Sequence, residues 1–68
     1  MKIIGQRIRQ LRTKHGMTQR ELAGALNIGL STIARWETIG IARNYGSVIK
    51  LSKFFNCTTD YLYGLKDE

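Results

Sequence analysis

Residues 18–37, TQRELAGALNIGLSTIARWE, carry two helical patterns with only Asn27, Ile28 and Gly29 between them. So short a connection forces one helix to turn sharply against the next, and this restricts the fold more than any other feature of the chain. Thr18 and Glu21 stand at the T-x-x-E spacing of a capping box, with Met17 and Leu22 at the positions of a hydrophobic staple, which predicts that a second helix starts at Gln19. Leu22, Ala23 and Leu26 fall on its inner side, and Asn27 tolerates the left-handed conformation that ends a helix. A third helix is predicted over 30–38. At about 100° per residue, Ile33, Trp36 and Glu37 share one side, while Ser31, Ala34, Arg35 and Thr38 share the other. Helices that cross steeply after such a turn touch only where the contact residue is small, and Ala23 meets that need.

The flanking segments complete an all-helical pattern. Ile4, Ile8, Leu11 and His15 form a stripe that predicts a first helix over 2–15, stopped by a left-handed Gly16. A fourth helix follows Asn44 as its cap, with Val48, Leu51, Ser52 and Phe55 inward and Lys50 and Lys53 outward. Thr58 caps a short fifth helix, where Asp60 complements the positive helix end and Cys57 can staple to Leu62. No stretch alternates as a strand does, and with no proline present the helix ends must be set by caps and glycines. The expected fold is a compact bundle of five short helices, with residues 1–68 forming a single domain.

Composition limits what such a bundle does. A domain of 68 residues is near the lower limit for an unstapled core, and its single cysteine excludes an intrachain disulfide and a Cys-rich zinc site. Apolar runs of only a few residues exclude a membrane span, so a cytoplasmic setting is expected. The net charge of +6 and pI near 10.0 point to an anionic partner, nucleic acid foremost. Up to Arg43 there are eight basic and two acidic residues, whereas from Asn44 onward three of each cancel. His15 has no second ligand at metal spacing and reads as an exposed or capping histidine, and Cys57 reads as a small buried hydrophobe. The acidic residues serve as caps, pair or tail. No nucleophile and base are suggested, so no enzyme, metal or cofactor is expected.

An exposed helix on a basic domain suits the major groove of B-DNA, about 12 Å wide. The pattern also resembles the Xre/Cro family of helix-turn-helix DNA-binding domains, typified by lambdoid phage repressors and Cro proteins. The resemblance runs from IGQRIRQLR through TQRELAGALNIGLSTIARWE to KLSKFFNCTTDYLYG, with Gln19, Ala23, Asn27, Ile28, Ile33, Trp36 and Glu37 at the motif positions. It implies the helix-turn-helix at the second and third helices, with Leu30, Ser31, Ala34 and Arg35 at base-reading positions. Of these, Arg35 suits guanine O6 and N7, although a solvated charge or a phosphate contact is the alternative. Leu30 lies at the edge of the inner side, which leaves it between half-burial and a thymine methyl. The resemblance places Gln19 and the start of the second helix on phosphate, and the positive helix end supports this independently. Arg43 and Asn44 are further phosphate candidates, followed by Arg9 and Arg20. It also pairs Arg12 with Glu37 in a structural salt bridge that can present Arg12 to phosphate.

Three departures stand out. Gly29 replaces the Ser or Thr that usually caps the recognition helix, so either that end is loosely fixed or Ser31 caps a later start. The loop TIGIARN has Ile39 and Ile41 where Gly and basic residues are usual, and it lacks the usual proline, which predicts fewer phosphate contacts unless the isoleucines pack against the fourth helix or a partner.

Phe54, Tyr61, Leu62, Tyr63 and Leu65 offer more apolar surface than so small a core hides, which reads as an interface. The alternative is that Tyr61 and Leu62 close the core of a monomer. The resemblance implies a homodimer about a twofold axis that sets two helices in successive major grooves of a palindromic operator. Together these readings describe a sequence-specific transcriptional regulator of double-stranded DNA, a repressor by resemblance, controlled by its concentration or by a regulatory protein partner. Two alternatives stay open: an antitoxin or restriction-modification controller, and an interaction adaptor that binds DNA only nonspecifically.

Overall fold

Ile4, Ile8 and Leu11 recur at helical spacing, and in the computed structural model they line the buried side of α1 (Lys2–Lys14). The structure describes residues 2–41 and 45–67, the side chain of Lys2 excepted. Four further helices follow: α2 (Gln19–Leu26), α3 (Leu30–Thr38), α4 (Tyr45–Phe55) and α5 (Thr59–Leu62). No strand occurs among the described residues, as the sequence pattern predicts. No helix among them is long and apolar enough to cross a membrane.

One core joins all five helices. Leu22, Ala23 and Leu26 of α2 meet Ile33 and Trp36 of α3, and Val48, Leu51 and Phe55 of α4 close over them with the three α1 residues. Burying a Leu or Ile side chain contributes about 1.5–3 kcal/mol, so these side chains fix the helices relative to one another. Ser52, also buried, donates its hydroxyl to the Ile49 carbonyl at 2.8 Å, and among the described residues no buried side-chain nitrogen or oxygen lacks a partner.

After α1, α2, α4 and α5 the chain turns by one repeated device. Gly16, Asn27, Asn56 and Gly64 all adopt positive φ, between 55° and 78°. After each, the next residue donates its N–H to a carbonyl five residues back: Met17 to Arg12, Ile28 to Ala23, Cys57 to Ser52 and Leu65 to Asp60, at 2.9–3.0 Å. These bonds satisfy the carbonyls that a helix end leaves unpaired. The next helix starts at once where Thr18 and Thr58 cap α2 and α5. Because the turns are closed by backbone bonds, the angle between α2 and α3 is set locally and then locked by the core.

Several expectations are refined. α1 ends at Lys14, one residue early, and the His15 ring is exposed, 5.2 Å from that of Phe55. Its Nδ1 lies 2.8 Å from the Leu11 carbonyl, so His15 caps the helix end instead of extending the inner stripe. Leu62 is a correction: it is wholly buried at the centre of the core and has no surface to offer a partner. The one-turn α5 has a single inward position, and Leu62 occupies it. Cys57 is half-buried, short of the full burial expected, because it lies in the α4–α5 turn at the edge of the core. Ile41 packs on the core, whereas Ile39 stays 63% exposed. The capping role expected of Asn44 lies outside the described residues.

Candidate nucleic-acid interface

The start of α2 is a fixed donor end. Thr18 Oγ1 accepts the Glu21 N–H at 3.0 Å while Glu21 Oε1 accepts the Thr18 N–H at 2.8 Å, completing the capping box. The N–H groups of Gln19 and Arg20 precede any intrahelical acceptor and lie at the open helix end, where the helix dipole favours an anion. Arg20 is exposed beside them.

α3 follows with Gly29 as N-cap, in extended conformation and without a side-chain cap bond. The later start at Ser31 does not occur: Thr32 and Ile33 both donate to the Gly29 carbonyl, and the helix begins at Leu30. Ile33 and Trp36 hold it to the core. On its outer face Ser31 and Arg35 are exposed, Ala34 is half-buried and Leu30 is 38% exposed. The structure thus brings Leu30, Ser31, Ala34 and Arg35 together, with Leu30 between the two environments expected for it. No carboxylate among the described residues pairs with Arg35, whose guanidinium keeps its donors available. Thr38 satisfies its own hydroxyl by donating to the Ala34 carbonyl at 2.8 Å.

Beneath this face lies the expected ion pair. Arg12 Nε donates to Glu37 Oε2 at 2.7 Å and Nη2 to Oε1 at 3.1 Å, with the two side chains 12% and 5% exposed. The third guanidinium nitrogen, Nη1, donates to the Met17 carbonyl at 2.8 Å, which ties α1 to the turn before α2. Hydrogen bonding to Glu37 holds the Arg12 guanidinium further into its protonated range, outweighing the opposing effect of burial. So engaged, Arg12 braces α1 against the last turn of α3 and the turn before α2.

One contact has no counterpart in the sequence reading. Gln19 Nε2 donates to Glu37 Oε1 at 3.2 Å, so Glu37 binds α1 and α2 to the last turn of α3. A carboxylate on the apolar side of a helix requires donors. That signal points to Arg12, but it also calls for a further donor, and Gln19 supplies it.

Other candidates are spread more widely. Arg9 is exposed on α1, and the neighbouring Arg7 lies over the Tyr61 ring, 4.3 Å from its centroid. Lys50, expected to point outward, reaches back to donate to the Leu26 carbonyl at the end of α2. Arg43 and Asn44 lie outside the described residues. Phe54 and Leu65 are 42% and 74% exposed, while Tyr61 and Tyr63 pack partly against the core. Burial pushes the Cys57 thiol above its ordinary range, which disfavours the thiolate.

Comparison with known proteins agrees with this geometry. A helix-turn-helix family model matches residues 8–62, from the middle of α1 to the end of α5. The chain is 40% identical over 65 residues to the HTH-type transcriptional regulator ImmR of Bacillus subtilis, covering 96% of this chain and 50% of that protein. It is 37% identical over 57 residues to the HTH-type transcriptional activator BcrR of Enterococcus faecalis, covering 84% of this chain and 28% of that protein. A third relative, the uncharacterized HTH-type transcriptional regulator YobD of Bacillus subtilis, is 30% identical over 63 residues, 93% of this chain and 56% of its own length. The chain therefore spans about half or less of the length of these curated relatives. With its short-turned α2–α3 pair, its Arg12–Glu37 brace and a family match over most of its length, the chain belongs to the Xre/Cro-like helix-turn-helix family.

Proposed function

We propose that the chain is a sequence-specific DNA-binding transcriptional regulator that lays the outer face of α3 in the major groove. The observation that carries this reading is the pairing of two features on adjacent helices. Ser31 and Arg35 face outward from α3, and the start of α2 holds free N–H groups beside Arg20. The first can read base edges and the second can grip phosphate. Arg35 pairs with guanine O6 and N7, Ser31 discriminates weakly, and Leu30 and Ala34 meet thymine methyl groups. Gln19 and Arg20 contact the backbone, with Arg9, Arg43 and Asn44 as further phosphate residues. The names of the similar proteins, all HTH-type transcriptional regulators or activators, support regulation as the outcome.

Size supports a dimer. The chain measures 27 Å along its longest axis, whereas successive major grooves on one face of DNA lie about 34 Å apart. One copy therefore reads one groove, and a palindromic operator requires two. Phe54, Tyr61, Tyr63 and Leu65 supply the pairing surface in this reading, on the part of the chain whose charges cancel. A dimer seated on its operator obstructs polymerase, which makes repression the direct consequence.

Arg35→Ala tests the base-reading role. The substitution should relax preference at one position of each half-site by about 1–3 kcal/mol in competition binding. An equal loss of affinity for every duplex would reassign Arg35 to phosphate.

A further inference from the structure

Glu37 is the only acidic side chain on α3, and 95% of it is hidden from solvent. Its Oε2 accepts from Arg12 Nε, and its Oε1 accepts from both Arg12 Nη2 and Gln19 Nε2. Gln19 opens α2, next to the backbone N–H groups that face the DNA backbone in the function proposed above. A carboxamide nitrogen carries two N–H groups. One is committed to Glu37, and the second remains for the helix end. The base-facing end of α3, in contrast, is tied by the backbone bond of the turn, Ile28 N–H to the Ala23 carbonyl, and by no side chain, because Gly29 offers no side-chain cap. Among the described residues, the side-chain hydrogen bond that holds α3 against α2 therefore acts on its last turn, from Gln19 to Glu37.

From this arrangement we propose that Gln19 is a positioning residue for sequence discrimination. The turn and the core set the angle between α2 and α3, and by bonding Glu37, Gln19 holds the last turn of the recognition helix in register with the helix end that engages phosphate, so that backbone grip and base reading are coupled. This inference rests on the DNA-binding reading. It goes beyond that reading by giving Gln19 a role that a phosphate contact alone lacks. A residue that only grips phosphate contributes equally on every duplex, whereas a residue that orients α3 contributes more where the bases match.

The test compares two duplexes at near-physiological salt: one recovered with the wild-type chain from a random pool, and one of scrambled sequence. Gln19→Leu keeps the bulk and removes the donors. A hydrogen bond to a charged group contributes about 1.5–3 kcal/mol, so the ratio of affinities for the two duplexes should fall by about tenfold or more. Gln19→Glu sets a second carboxyl against Glu37, and the like charge raises its pKa. Only the protonated form donates, so this variant should discriminate poorly at pH 8 and recover toward pH 5, relative to wild type. Arg12 faces the same carboxylate from α1, Arg20 and Glu21 neighbour position 19 on α2, and Arg35 lies on α3. Those groups are present in both proteins, so the difference between the two pH profiles reports the new carboxyl. Equal weakening on both duplexes, or a pH profile parallel to wild type, would overturn the positioning role and leave DNA recognition intact. A wild-type chain that does not distinguish the duplexes would overturn the proposed function and this inference with it.

Discussion

Arg12 and Glu37 lie side by side at 12% and 5% exposure, so removing one strands the other's charge away from water. Breaking a buried pair this way costs about 3–5 kcal/mol, whereas an exposed pair is worth about 1 kcal/mol or less. Arg12→Met should lower the unfolding free energy by about 3 kcal/mol, read as a shifted urea midpoint, and a loss under about 1 kcal/mol would contradict the buried brace. The pair was legible because helical spacing puts Glu37 beside Ile33 and Trp36, where a lone carboxylate is untenable, and because the family resemblance supplies Arg12 as its partner. Gln19 was not legible as a second donor to Glu37, since no periodic pattern links residues 18 positions apart. Leu62 was misplaced at the surface for a related reason. Its short helix has one buried position, and composition alone does not say which neighbour fills it.

The helices themselves were read closely from local chemistry. α2 begins at the capping box, α3 runs over the predicted residues, and Gly16 and Asn27 take the left-handed conformation expected of them. Such signals depend on residues within a few positions of one another, so sequence displays them directly. Close approaches between elements are a different matter. A Cβ on Gly5 would fall 2.6 Å from the Trp36 carbonyl oxygen and 2.8 Å from that of Glu37, so α1 meets the backbone of α3 with no room for a side chain. Nothing in the α1 pattern announces this. Gly24, exposed on α2, has open space where its Cβ would stand. By helix propensity alone both Gly→Ala changes should stabilise, each by about 1 kcal/mol. Gly24→Ala should do so, while Gly5→Ala should destabilise by about 1–3 kcal/mol as α1 and α3 are pushed apart. Thermal unfolding separates the two, at about 4–8 °C per kcal/mol for a domain of this size. A rise in Tm for Gly5→Ala would contradict the α1–α3 contact.

At the scale of the whole molecule, shape and charge act together. The +6 surplus falls within the first 43 residues, which contain α1 to α3, while α4 and α5 belong to the part whose charges cancel. The DNA-reading and pairing surfaces proposed above thereby fall on different parts of one small domain. The basic balance was legible from composition, but the partition of the aromatic residues was not. Tyr61 and Tyr63 pack partly against the core, which leaves Phe54 and Leu65 more exposed. The central claim is that the outer face of α3 reads DNA sequence, and selection of bound duplexes from a random pool tests it most directly. Near-physiological salt is required, because low salt inflates the phosphate contribution common to all sequences. The account predicts an enriched inverted repeat whose half-site centres lie about one helical turn apart. Salt-sensitive binding to every duplex with no enriched sequence would contradict it.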